Sequence, residues 1–390
     1  MRTQLSIAVS PVLRLCLLAL LLAGALQPLI AGPILLYEAA ALGTLGGSGS
    51  TGFGINDSGA VVGASDLPSG AEAAFLHDGM GAAALAGLPG ATESAARAIN
   101  NSGSVAGTSY AGGQAQATIW TNGEATALGS LGGGESYGTA INGAGQIVGS
   151  STTAGGQGHA FLYDNGQWTD IGAGWNGAWS ASHGVNDTGQ VAGYGETSPG
   201  AFQGFIWDGS GSITTLGTLG GSNSYAFSVN NAGAAVGHAS TAAGYLHAFV
   251  SINGLMIDLG TLGGDSSFAY GINDSGSVVG HSWLPGNTTL HAFLYSGGVM
   301  YDLNDLLADG SGWVLREAYG INSNGQITGN GIFQGQETAF RLDPVAAGAS
   351  LLSLQAPMTA TPEPGTGPIG LLGLAMAGIG LWRRKKSQAR

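Results

Sequence analysis

Between about residues 34 and 345, apolar positions fall into short runs in which β-branched and aromatic residues alternate with small ones. Gly and Asn bound the runs, and no segment keeps an apolar period of 3.6 over three turns, so the pattern predicts strands rather than helices. The runs also recur. An Ile/Val-Asn pair, with Gly three residues later and another Gly four beyond it, begins at Ile55, Ile99, Ile141, Val185, Val229, Ile272 and Ile321. The Asn-to-Asn intervals are 44, 42, 44, 44, 43 and 49 residues, the signature of a repeat architecture.

Each unit reads as four strands. The first ends in Ile-Asn and turns tightly through sequences such as Asn56-Asp57-Ser58-Gly59, where the Asx side chain bonds local backbone and Gly takes positive φ. The second is a Val-Val-Gly run, as at Val61-Val62-Gly63 and Val278-Val279-Gly280. The third contains Ala/Gly-Phe at Phe75, Phe161, Phe205, Phe249, Phe293 and Phe340, replaced in the second unit by Ala117-Thr118-Ile119-Trp120. The fourth ends in Leu-Gly or Ile-Gly, as at Leu42-Gly43 and Leu259-Gly260, with looser forms at Leu85 and Leu303. Gly-Gly pairs such as Gly46-Gly47 and Gly263-Gly264 mark the crossing to the next unit, where unusual φ or close approach is needed.

Four strands per 44 residues match a propeller blade. The chain starts on a fourth strand near Leu42 and ends on a third near Phe340. An open stack would leave both ends with raw sheet edges, whereas a ring lets the first strand complete the last blade. The expected fold class is therefore all-β: a seven-bladed β-propeller over residues 33–343, closed by its N-terminal strand, with an open β-solenoid as the alternative. The 49-residue interval predicts a longer loop into the closing blade.

His159-Ala160-Phe161, His247-Ala248-Phe249 and His291-Ala292-Phe293, together with Leu-Gly-Thr-Leu-Gly-Gly and Ile-Asn-Asp-Ser-Gly, resemble the HAF extracellular repeat family over about residues 34–343. The resemblance implies a secreted or surface protein and carries no settled activity.

The ends read as addresses. Arg2 and Arg14, the apolar run Leu15–Leu22 and the small residues Ala23-Gly24-Ala25 predict a signal peptide over residues 1–32, cleaved after Ala25 or Ala31. Residues 344–360 read as a flexible linker. Pro362-Glu363-Pro364 then precedes an uncharged stretch, 365–382, long enough for a transmembrane helix, and a basic tail, 383–390, whose Arg383, Arg384, Lys385 and Lys386 orient it toward the cytoplasm. This order over residues 361–390 resembles the PEP-CTERM sorting signal of exopolysaccharide-producing Gram-negative bacteria, with Thr361 where the family commonly has Val. The resemblance implies processing by an exosortase, a membrane-embedded cysteine peptidase, after a transient inner-membrane stage. The mature protein then belongs at the cell surface or in the extracellular matrix.

Charge narrows the partners. Between Glu38 and Asp343 there are 22 acidic residues against three basic ones, Arg97, Arg316 and Arg341, a net charge of −19 with no Lys. Such a surface repels phosphate backbones, which excludes nucleic acid and disfavours anionic membranes. Cys16, the only cysteine, lies in the signal segment, so the mature chain has no thiol chemistry.

No candidate chemistry stands out by spacing. The recurrent His159, His247 and His291 belong to different blades and read as structural. His77 two residues before Gly79, and His183, His238 and His281 beside Gly, read as turn or strand-end positions without a ligand pattern. The Asn-Asp-Ser/Thr-Gly turns lack the later ligands of a calcium loop, and if calcium binds, Asp57, Asp187 and Asp274 are its candidates. No pair of carboxylates is singled out for glycoside chemistry. Trp168, Trp175, Trp179, Trp207, Trp283 and Trp313 are either core or sugar-stacking rim positions. The expectation is thus no catalytic, cofactor or metal residues, and a non-enzymatic surface module that binds exopolysaccharide or another surface protein. The alternatives are a carbohydrate-active enzyme with a channel site and an inert coat.

Overall fold

The computed structural model describes residues 36–175, 179–307 and 312–345. Among them are 28 strands in seven four-stranded antiparallel sheets. Blades one to six span residues 50–84, 91–129, 132–170, 180–215, 220–258 and 267–302. The seventh combines Trp313–Ile321, Ile327–Phe333 and Gln336–Val345 with Leu36–Gly43 as its outer strand, in register from Leu36↔Val345 to Gly43↔Ala339. The propeller reading and its strand-sharing closure therefore hold, and the open solenoid does not. The last strand runs to Val345, two residues past the expected boundary.

The first strands of successive blades touch one another all the way round and form the inner wall of a central channel. Between blades lie seven apolar layers. In the layer joining blades one and two, Val62, Ala74, Ala96, Val105 and Trp120 pack together. The six strand-three phenylalanines are at most 1% exposed. In blade two, Thr118 occupies the Phe register, pairing with Gly107, and Trp120 fills the layer instead.

The strand-two glycine faces strand one so closely that no side chain fits. A Cβ at Gly63, Gly149 or Gly237 would lie 1.8–1.9 Å from the carbonyl oxygen of Thr51, Tyr137 or Tyr225. In the Gly-Gly crossings the two residues divide the work expected of them. Gly46, Gly132, Gly220 and Gly263 have φ near +100°, while a Cβ at Gly47 or Gly264 would strike the backbone of Asp66 or Trp283 at 2.4 Å.

Hydrogen bonds to backbone join the blades. A buried Ser at the start of each of the first six inner strands accepts the strand-three N–H of the preceding blade, as in Ala74→Ser94 and Ala339→Ser50, at 2.8–3.0 Å. The seventh junction differs because the expected longer connection enters there. Asp302 caps the 3-10 turn Leu303–Leu306, and Asn304 replaces the serine by bonding both the N–H and the carbonyl of Leu315.

At the turn end of the channel, the seven repeat asparagines form a closed circle. Each Nδ2 donates to the backbone carbonyl of the next, from Asn56→Asn100 round to Asn322→Asn56, at 2.9–3.2 Å. Each Oδ1 accepts backbone N–H groups of its own turn, such as Gln190 for Asn186. One residue type thus shapes the hairpin and binds it to its neighbour. Asn186→Ala removes both functions, leaves the Thr188 and Gln190 N–H groups without their acceptor and the Asn230 carbonyl with only the Gly233 N–H, so a loss of about 2–4 kcal/mol is expected. A urea midpoint that does not move would contradict this account.

Among the described residues no helix is long and apolar enough to cross a membrane. The expected signal peptide, residues 346–360 of the linker, the helix at 365–382 and the residues Pro362, Glu363, Pro364, Arg383, Arg384, Lys385 and Lys386 lie outside the described residues.

Candidate functional site

The repeat makes the backbone nearly symmetric, so function depends on positions where the repeats differ. The most informative is three residues before each circle asparagine, roughly 10 Å along the strand from it. There the seven blades carry Phe53, Arg97, Thr139, His183, Phe227, Tyr270 and Tyr319. Six of them form a continuous belt. The Arg97 guanidinium carbon lies 4.2 Å from the centroid of the Phe53 ring. Centroid spacings then run Phe53–Tyr319 5.3 Å, Tyr319–Tyr270 5.1 Å, Tyr270–Phe227 5.6 Å and Phe227–His183 5.0 Å. All six remain partly open to solvent. Thr139 alone breaks the belt and bonds the Ser182 carbonyl of the next blade.

The layer behind the belt is lopsided. On the second strands, blades one to three present Ala64, Thr108 and Ser150, whereas blades four to seven present Tyr194, His238, His281 and Asn330. The bulky half forms one aromatic mass in which Tyr194 meets Tyr225, His238 meets Phe268, and His281 meets Tyr270. Phe202 and Trp179 extend it toward the loop end. His183 Nε2, His238 Nδ1, His281 Nδ1 and Asn330 Oδ1 are buried there without a hydrogen-bond partner among the described residues. Burial lowers His183 to about 4 and both His238 and His281 to about 3. Glu317, whose Oε1 is 3.5 Å from His281 Nδ1, is pushed above the ordinary carboxylate range by burial, against the Tyr319 hydroxyl that donates to it at 2.8 Å.

Three histidines expected at turns or strand ends are therefore elsewhere. His183, His238 and His281 lie within strands and converge on the channel wall, because the ladder continues beyond the glycine that seemed to end it. His77 alone ends a strand, where its Nδ1 accepts the Gly79 N–H.

The recurrent histidines all have a partner within their own blade. His159, His247 and His291 each bond an aspartate eleven residues on, Asp170, Asp258 and Asp302, at 2.6–2.9 Å. The partnership holds within the chain: blades with other residues at the His register, such as Ala73 or Gln203, have Ala84 or Thr215 at the Asp register. The hydrogen bond that His291 Nδ1 donates to Asp302 raises the His291 pKa above its ordinary value.

The calcium candidates do not meet. Asp57, Asp187 and Asp274 sit on blades one, four and six around a depression of about 270 Å³ at the asparagine circle. Their oxygens accept neighbouring amides, Asp57 from Ser323 and Asn101, Asp187 from Gly143 and Asn231, and Asp274 from Asn231. Burial works upward on Asp57, yet these bonds outweigh it and hold its carboxyl below the usual range. No group of three ligating side chains suited to a metal occurs among the described residues.

Of the six tryptophans, none is exposed. Trp168 packs on Phe161, Trp175 on Phe205, and Trp313 on Phe333 and Phe340, while Trp207 lies in the layer between blades three and four. Trp283 is half-buried, and Trp179 belongs to the channel aromatics. A second cavity of about 360 Å³ near Asp170 and Trp207 offers less, since His159 and the Ala173 N–H already occupy Asp170. The belt was missed in sequence, although lining the repeats on Asn exposes it as the variable column of strand one.

The PEP-CTERM protein-sorting motif matches residues 360–385. No curated protein matches the sequence. Among solved structures, a puromycin-hydrolyzing peptidase of Mycobacterium tuberculosis is similar at 12% identity, covering 84% of this chain and 56% of its own, with a TM-score of 0.52. TolB from Acinetobacter baumannii gives 11% identity, 73% and 63% coverage and a TM-score of 0.41. The BP39L lectin from Burkholderia pseudomallei gives 10%, 82%, 97% and 0.41. This chain spans less than two thirds of the peptidase and of TolB. The likeness to the peptidase is one of fold alone.

Proposed function

We infer that this chain is a secreted, surface-sorted binding module without catalytic activity, and that its ligand enters the propeller channel. The sorting motif supports export in a Gram-negative host and processing by an exosortase, with the segment after Pro364 as a transient anchor. The HAF-like repeats agree with a surface location. The channel belt carries the binding reading: six partly open side chains, four of them Phe or Tyr, face one axis and offer stacking surfaces to a sugar polymer. The asparagine circle ties the turn end together, so the loop end is the mouth.

Calorimetric titration of the full chain with the host's exopolysaccharide, with and without calcium, tests this. Saturable heat without product is expected, independent of calcium, with Tyr270→Ala weakening binding at least tenfold. Heat that Tyr270→Ala leaves unchanged would move the site off the channel.

The enzymatic alternative has one observation in its favour, the raised pKa of Glu317 beside the belt. Its decisive result would be new reducing ends in the titrated polymer, lost in Glu317→Gln.

A further inference from the structure

Arg97 differs from the other two basic residues of the propeller in its surroundings. Of the three basic residues between Glu38 and Asp343, Arg316 is exposed, and Arg341 bonds Asp343 at 3.0 Å and the Gly59 carbonyl at 3.2 Å. Arg97 lies deep inside the ring of blades and keeps part of its surface open to the channel. Among the described residues it makes no hydrogen bond or close ion pair, and its guanidinium rests on Phe53. A guanidinium has five donors, and withdrawing it from water without an acceptor is costly. Burial pulls its pKa below the ordinary value, against the Glu72 carboxylate.

We propose that Arg97 forms an anion subsite inside the channel, which holds the carboxylate of an acidic sugar ring stacked on Tyr319 and Tyr270, with Phe53 backing the guanidinium. This rests on the channel being the ligand site and narrows the ligand to a uronate-bearing glycan. Planar, bidentate recognition of a carboxylate is what a guanidinium does best. Charge selects the class. Glu72, Glu93 and Glu135 act on the neighbouring Tyr110, so the surroundings are negative and a single guanidinium balances one charge, not two. A singly charged carboxylate fits where a phosphate dianion is repelled. The sugar ring supplies the C–H face that the belt's aromatic faces accept.

The test titrates the full chain at low salt with an oligogalacturonate and with the same oligosaccharide after its carboxylates are reduced to hydroxymethyl groups. The acidic form is expected to bind at least tenfold more tightly. Arg97→Gln should lower its affinity to that of the reduced form, leave binding of the reduced form unchanged, and leave the melting temperature equal or higher, since an unpaired charge is gone. Arg97→Lys should lose most of the preference, because it keeps the charge without the fork. Equal affinity for both oligosaccharides in the parent would overturn the subsite and leave the channel reading standing. A lowered melting temperature in Arg97→Gln would assign Arg97 to the scaffold and overturn it as well. Binding of neither form would overturn the uronate assignment, and Tyr270→Ala against the host polymer would then decide whether the channel binds at all.

Discussion

In-frame removal of Leu36–Gly43 is expected to unfold the whole ring in one step rather than to fray one edge. Tyr37 is 1% exposed and packs with Leu303, Leu306, Leu315, Phe340 and Leu342, a layer that also holds Val279 and Leu294 of blade six. Leu42 is 5% exposed and joins Val61, Phe75 and Ala339 in the layer between blades seven and one. Burial of each such side chain contributes roughly 1.5–3 kcal/mol. The deletion also breaks the ladder to Gln336–Val345 and exposes that strand as a new edge. The combined loss is comparable with the whole stability of a typical domain, about 5–15 kcal/mol. Tyr37→Ala alone, a large-to-small change in a closed layer, is expected to cost about 3–5 kcal/mol. The check is thermal and urea unfolding followed by circular dichroism. A deletion variant that still melts cooperatively within a few degrees of the parent would show that closure is dispensable.

Acid is expected to destabilise the protein in a window set by the channel histidines. Burial holds His183 near 4 and His238 and His281 near 3, while in the unfolded chain each takes up a proton near 6.5. Folded-state pKa values are depressed, so the stability is complete above about pH 6.5 and is lost as the pH falls toward 4 and then 3. Each unit of depression is worth about 1.4 kcal/mol. Three such groups therefore remove several kcal/mol by about pH 4.5. Glu317 opposes the trend, because a carboxyl raised by burial is relieved as it gains a proton, and it can pair with His281. His238, among Tyr225, Phe227 and Phe268, has no such compensation. His238→Phe is accordingly expected to flatten the fall in urea midpoint between pH 7 and 4.5. Identical slopes for variant and parent would remove the histidines from the explanation.

The repeat exposed much of this in one dimension. The Ile-Asn turn, the Val-Val-Gly strand, the Gly-Gly crossing and the odd strand at each end state local requirements: a tight turn, a contact too close for Cβ, a positive φ, an edge needing a partner. Local requirements recur wherever the backbone recurs, so seven copies made them readable. His159, His247 and His291 were visible as one recurrent position for the same reason, although only the fold shows that Asp170, Asp258 and Asp302 bond them.

The candidate site was illegible for the opposite reason. Phe53, Arg97, His183, Phe227, Tyr270 and Tyr319 are 43–86 residues apart and share no motif, since the function of a channel wall lies in where the copies differ. His238 and His281 followed a glycine that looked like a strand end, because pairing to strand one is invisible in a linear reading.

Taken alone, the sequence determined the all-β class, the number of blades, the shared closing blade and the sorting motif, because periodicity and turn chemistry are properties of neighbouring residues. Only the tertiary structure decided that the repeat asparagines close into a circle and that half of the channel wall is aromatic. It alone set Arg97 on Phe53 without a hydrogen-bond acceptor among the described residues, because burial and partnership arise when the ring brings distant copies together.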